Sequence, residues 1–137
     1  MTHPEMETYE DRYRSMGYLF YSIAACDRSI IRAEIEALKK MTAHHWLVED
    51  RSYDELGIES ARYIDIAFDR ALEVRMPYQE AYARFEADQL RDPQRFDGWT
   101  KSHILRTAVA IAKASGSVEP EEAERIGLLQ KLFAIGA

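Results

Sequence analysis

Apolar side chains recur every three or four residues along almost the whole chain, and nowhere do they alternate between turn signals. Tyr9, Tyr13, Met16, Phe20 and Ile23 or Ala24 share one side of a helix predicted over about residues 5–25, which Gly17 weakens near its middle. A second helix, over about 32–46, places Ile35, Leu38, Met41 and His45 together, with Glu36 and Lys40 paired i,i+4 on the exposed side. Tyr63 or Ile64, Ala67, Phe68, Ala71 and Leu72 form a stripe over about 59–74. Pro77 suits the first turn of a helix to about residue 90 that carries Ala81, Tyr82, Phe85 and Gln89. Thr100 is placed as the cap of a helix to about residue 114, with Ile104, Ala108, Ile111 and Ala112 inward. The last helix, over about 120–134, turns Ala123, Ile126, Leu129 and Leu132 or Phe133 to the core.

Two breaks separate these stripes. VEDRSYDELG supplies Asp50, Ser52 and Asp54 as capping side chains, and RDPQRFDGW contains Pro93 and the Asp97-Gly98 pair. With 137 residues, six Gly and four Pro, the chain is the size of one domain and short of the turns an all-β fold needs. The expectation is an all-α fold: one compact bundle of six or seven helices over 1–137, with similar helical hairpins at its two ends.

The similarity of the ends lies in the sequence itself. Shifted by 88 residues, Ile23 meets Ile111, Ala24 meets Ala112, Ser29 meets Ser117, Glu34 meets Glu122 and Glu36 meets Glu124. The intervening turn agrees in character: Ile30 meets Val118, which is expected to dip into the core. Gly116 suits the left-handed backbone at a helix end, and Glu119, Pro120, Glu121 and Glu122 form a helix start that complements the helix dipole. Glu122, three residues after the cap, is placed to accept a hydrogen bond from a free N–H. Copy one has Arg28 and Arg32 where copy two has Gly116 and Pro120, so it is the less ideal corner.

This arrangement resembles the TerB-like (tellurite-resistance B) family, all-helical domains with an Ala-Asp-Gly type turn followed by a glutamate, often in two copies. The stretches that carry the resemblance are ACDRSIIRAE at 25–34 and KASGSVEPEE at 113–122, while 47–95 matches only in helical character. Asp27 keeps the family acid beside Arg28, and Gly116 keeps the glycine beside Ser115, so neither copy is complete. The resemblance implies a stress- or tellurite-associated role and an acidic surface for a divalent metal ion. Carried over by position, the ligands are Asp27, Glu34 and Glu122, with Ser115 where an acid is expected. The same residues also read as plain turn and helix-start residues, and both readings stand.

Other chemistry is sparse. An EF-hand counted from Asp27 has Arg32 where glycine belongs and Leu38 where glutamate belongs. The adjacent His44 and His45 point about 100° apart on a helix and form no ligand pair. No glycine-rich phosphate loop or nucleophile turn is present, so a non-catalytic protein is expected, with an enzyme of cryptic site as the alternative. Net charge is −6, which disfavours nucleic acid. The single Cys26 suits a small buried hydrophobe. No apolar run reaches membrane-spanning length, and a cytoplasmic setting is expected. Phe96 and Trp99 sit on a turn as candidate anchors for a protein partner or a second copy of the chain. The alternative is that they fold back to seal the bundle, and that the domain is purely structural.

Overall fold

The computed structural model describes residues 4–26, 30–53, 56–114, 116 and 118–134, with the side chains of 4–10 and 95 outside the description. Among these residues the chain forms a helical bundle with no strand; the one extended contact is an isolated bridge between Tyr53 and Glu59. The helices are α1 Pro4–Ala25, α2 Arg32–Met41, the short α3 Leu47–Glu49, α4 Tyr63–Val74, α5 Tyr78–Arg91, α6 Gly98–Lys113 and α7 Pro120–Ala134. A single π turn, Thr42–Trp46, joins α2 to α3, and 3-10 turns Ser60–Arg62 and Pro93–Arg95 precede α4 and α6.

Helix α1 is the axis of the bundle. Tyr13, Met16, Leu19, Phe20, Tyr21, Ile23 and Ala24 are all buried, as are Ser15 and Ser22, so it is covered on most of its circumference. A helix enclosed this way belongs inside a bundle rather than on one side of it. Its broadest packing is against α4 and α5, with α6 and α7 also in contact. Gly17 makes the α4 contact possible: a Cβ built there would lie 2.3 Å from the Ile64 carbonyl oxygen and 2.8 Å from Ala67 Cβ. The glycine expected to weaken α1 instead lets two backbones approach.

The stripes expected for α4, α5 and α6 are in the core except for the half-buried Leu72, and Ile104, Ala108, Ile111 and Ala112 are wholly enclosed. Three expectations need correction. On α2 and the π turn the buried residues are Glu34, Leu38, Thr42 and Trp46, whereas Ile35, Met41 and His45 are only partly covered. On α7 the core positions are Glu122, Leu129, Leu132 and Phe133; Ala123 is exposed and Ile126 half-buried. In both helices a hydrogen-bonded polar residue occupies a place that hydrophobicity alone assigns to its neighbour. Val118 does not enter the core and is exposed.

Helix α4 ends on a left-handed residue that is not glycine. Arg75 has φ 53° and ψ 49°. The Met76 N–H donates to the Ala71 carbonyl at 3.0 Å and the Arg75 N–H to the Leu72 carbonyl at 3.2 Å, a Schellman closure. A Cβ in that conformation costs roughly 1 kcal/mol. Arg75→Gly is therefore expected to raise the unfolding free energy by about 1 kcal/mol in urea denaturation. A lower midpoint would show that the arginine side chain contributes more than its backbone geometry costs.

Candidate functional site

The helix ends that flank the two corners fall at the offset read from the sequence. Helices α1 and α6 end at Ala25 and Lys113, and α2 and α7 begin at Arg32 and Pro120. At the first start, the Ile31 N–H donates to Glu34 Oε1 at 3.0 Å; at the second, the Glu119 N–H donates to Glu122 Oε1 at 3.0 Å. Glu34 is 1% exposed and Glu122 is fully buried. Each glutamate thus binds the first free donor of its own helix, one half of a capping box. Ile31 has no side-chain oxygen with which to return the bond. Gly116 adopts φ 108° in the second turn. Asp27 and Ser115, the other residues of the metal expectation, lie outside the described residues. Among the described residues no three His, Cys, Asp or Glu side chains are grouped to hold a metal ion.

A different site emerges at the end of the bundle where the beginning of α1, the π turn and the start of α6 converge. Arg12, Tyr13, Trp46, Glu49, Asp50, Ser52, Asp97, Trp99 and Thr100 enclose an open notch of about 370 Å³. The local sequence explains each placement. The π turn widens the helix by one residue and presents Trp46 inward, 1% exposed. Its indole N–H donates to Thr107 Oγ1 at 3.1 Å, satisfying the only polar atom of the ring. Asp97, rather than the expected Thr100, caps α6: its carboxylate accepts the Thr100 N–H at 2.8 Å. That cap turns the next residues outward from the loop, and Trp99 emerges 41% exposed.

The walls are aromatic. Trp99 meets Trp46 edge-on with ring centres 5.7 Å apart, and stacks on His103, one turn along α6, at 3.8 Å. The His103 ring nitrogen Nδ1 is 2.9 Å from the Trp99 carbonyl. An acceptor carbonyl assigns the proton to Nδ1 and holds the imidazole flat against the indole. Tyr13 meets Trp46 edge-on at 6.4 Å. Phe96, the other expected anchor, folds into the core at 1% exposure against Phe85, with ring centres 5.5 Å apart. Trp99 is the accessible member of that pair.

The rim is acidic and strapped. The Tyr13 hydroxyl donates to Asp50 Oδ2 at 2.5 Å, and the Ser52 N–H donates to Asp50 Oδ1 at 2.9 Å. Ser52 continues the strap, its hydroxyl donating to Ser60 Oγ at 2.9 Å while its carbonyl accepts the Ser60 N–H at 2.8 Å. Burial pushes the Tyr13 phenol far up, and its bond to Asp50 adds to this, so it stays a donor. Burial alone would raise Asp50, but the bonds from Tyr13 and Ser52 outweigh it and hold the carboxyl below its ordinary 3.8. Asp97 is also lowered, chiefly by the Thr100 N–H and then by the Thr100 hydroxyl. Arg12 lies with its guanidinium 4.9 Å from the Tyr13 ring centre and donates to the Tyr13 hydroxyl at 3.2 Å.

The depressed Asp50 sets a sign for pH dependence. A carboxylate with a lowered folded-state pKa contributes stability that is complete above its ordinary value and drains away as pH falls through the lower one. The stability gap between wild type and Asp50→Asn is expected to be widest near about pH 7 and to narrow below about pH 4. Urea denaturation across that range reads it. A gap that widens in acid would mean that Asp50 enters the fold as the neutral acid.

Sequence reasoning did not assemble this notch, because its residues span 12–100 and belong to three separate stretches. The sequence singles out Trp99 as a candidate anchor and Asp50, Ser52 and Asp97 as residues of the two breaks, but no local pattern joins them to Arg12, Tyr13 and Trp46. No protein-family model, no curated protein and no solved structure matches the chain.

Proposed function

We propose that the chain is a non-catalytic helical module of TerB-like type that acts by engaging a protein partner in a stress-associated setting. The observation that supports it best is a division of labour among the candidate residues. Glu34 and Glu122 each bind the start of their own helix, while the accessible aromatic and acidic chemistry gathers at the Trp99 notch. The matching corners are what supports the TerB-like part of the reading. A half-exposed tryptophan in a concave, partly acidic surface is the kind of anchor that interfaces use.

Site-specific photo-crosslinking tests this in cells. A photoreactive phenylalanine analogue at position 99 is expected to capture one discrete partner, and the same analogue at the exposed Arg70 is not. Identical ladders from both positions, or none from position 99, would remove the reading. Calorimetric titration with calcium, magnesium, manganese and zinc addresses the divalent-cation alternative. A saturable heat that disappears in the Asp27→Ala, Glu34→Ala double variant would restore the corners as the working site.

A further inference from the structure

The chemistry of the notch narrows what a partner presents to it. Its ionisable lining comprises Glu49, Asp50 and Asp97 against Arg12, with Tyr13, Trp46 and Trp99 as aromatic walls. Asp50 is committed to Tyr13 and Ser52. Glu49 and Asp97 are exposed at the rim, and Asp97 accepts the Thr100 N–H and lies in the field of Arg12. An indole face with nearby carboxylates favours a cation over a neutral or anionic group. No three of these carboxylates are grouped to hold a metal ion among the described residues. A broad, delocalised cation spans such a rim better than a compact one. Guanidinium is planar, stacks on indole, forks onto carboxylates and sheds water more readily than ammonium. The chain already places one guanidinium there, that of Arg12 against Tyr13.

We infer that the notch receives the guanidinium of an arginine side chain carried on an exposed segment of the protein partner, stacked on Trp99 and paired with Asp97 and Glu49. This rests on the interaction-module reading. It goes further in naming the partner's chemistry: a basic segment with arginine at the contact, complementing a chain of net charge −6.

The test uses the full chain and a capped pentapeptide, Gly-Gly-Arg-Gly-Gly, followed by the indole N–H resonances of Trp46 and Trp99. Two control peptides replace the arginine with citrulline, which keeps the shape and loses the charge, or with lysine. The arginine peptide is expected to give a saturable shift of the Trp99 indole resonance, with citrulline at least tenfold weaker and lysine about threefold weaker. Asp97→Asn keeps an N-cap side chain and so keeps α6 started, yet is expected to weaken binding about fivefold. In Trp99→Ala the Trp46 resonance, the one indole signal left, is expected to show no response to the arginine peptide. Equal binding of the arginine and citrulline peptides overturns the inference, as does an unshifted Trp99 resonance up to about 10 mM peptide. Lysine binding as well as arginine overturns the choice of guanidinium. If photo-crosslinking at position 99 still captures one partner while these titrations fail, the module reading survives and the arginine assignment falls.

Discussion

Gly17→Ala is expected to destabilise the protein by about 2–3 kcal/mol, although alanine is the better helix former. The added methyl would meet the Ile64 carbonyl oxygen at 2.3 Å and Ala67 Cβ at 2.8 Å. Neither is the end of a flexible side chain, so the clash can be relieved only by moving α1 away from α4. That movement opens the largest contact in the bundle and loosens Met16, Phe20, Ile64 and Phe68, all wholly buried. Gly127→Ala on α7 is the internal control, because nothing lies within 4 Å of its built Cβ. There the helix-propensity gain acts alone, and stabilisation by about 1 kcal/mol is expected. Urea midpoints of the two variants should move in opposite directions. A Gly17→Ala midpoint at or above wild type would show that α1 and α4 do not cross this closely.

Trp46→Ala is expected to be the costliest single change, at about 4 kcal/mol. Trp46 is the largest of the fully buried side chains, and its removal leaves a cavity that Tyr13, Trp99 and Thr107 border. Thr107 would also lose the donor that its hydroxyl accepts, while still donating to the His103 carbonyl at 2.8 Å. Trp46→Phe should cost about 1–2 kcal/mol, since most of the apolar volume stays and the hydrogen bond goes. The two variants separate packing from function. The alanine variant should lose the near-ultraviolet signal of the Trp46–Trp99 pair, and the phenylalanine variant should keep the notch. Loss of less than about 1 kcal/mol in Trp46→Ala would mean that the notch floor collapses freely.

How far the sequence reading reached can be traced residue by residue. The stripes of α4 and α6 are legible because apolar residues at helical spacing make up most of their buried faces, although Asp65, Thr100 and Thr107 are buried beside them. On α2 and α7 the expected Leu38, Leu129, Leu132 and Phe133 are buried, whereas Ile35, Met41, His45, Ala123 and Ile126 yield core places to Glu34, Thr42, Trp46 and Glu122. Glu34 and Glu122 occupy core-facing positions there because each carboxylate bonds its own helix start. Thr42 is buried with its one hydroxyl proton shared between Asp65 Oδ1 at 2.8 Å and the Leu38 carbonyl at 3.2 Å. A hydropathy pattern ranks a residue by its average cost of burial, and that cost falls with each buried polar atom that meets a partner. The π turn adds a second difficulty, since it shifts the phase of all that follows it within the same helix.

The corner that opens α2 and α7 was visible in the chain because its chemistry is local: a helix stop, a short turn and a glutamate three residues past the cap act within one turn of backbone. The close crossing at Gly17 and the notch around Trp46 and Trp99 were not. A glycine in a helix signals weakness until a second backbone lies against it, and a tryptophan is core or surface according to what folds over it. Local hydrogen bonding and apolar spacing therefore determined that this chain is helical and where its two corners lie. The tertiary packing alone decided which glycine is indispensable, which tryptophan faces solvent, and that residues from 12 to 100 share one acidic, aromatic notch. The reason is one of range: capping and periodicity act over about four residues, whereas burial and close approach depend on segments far apart in the chain.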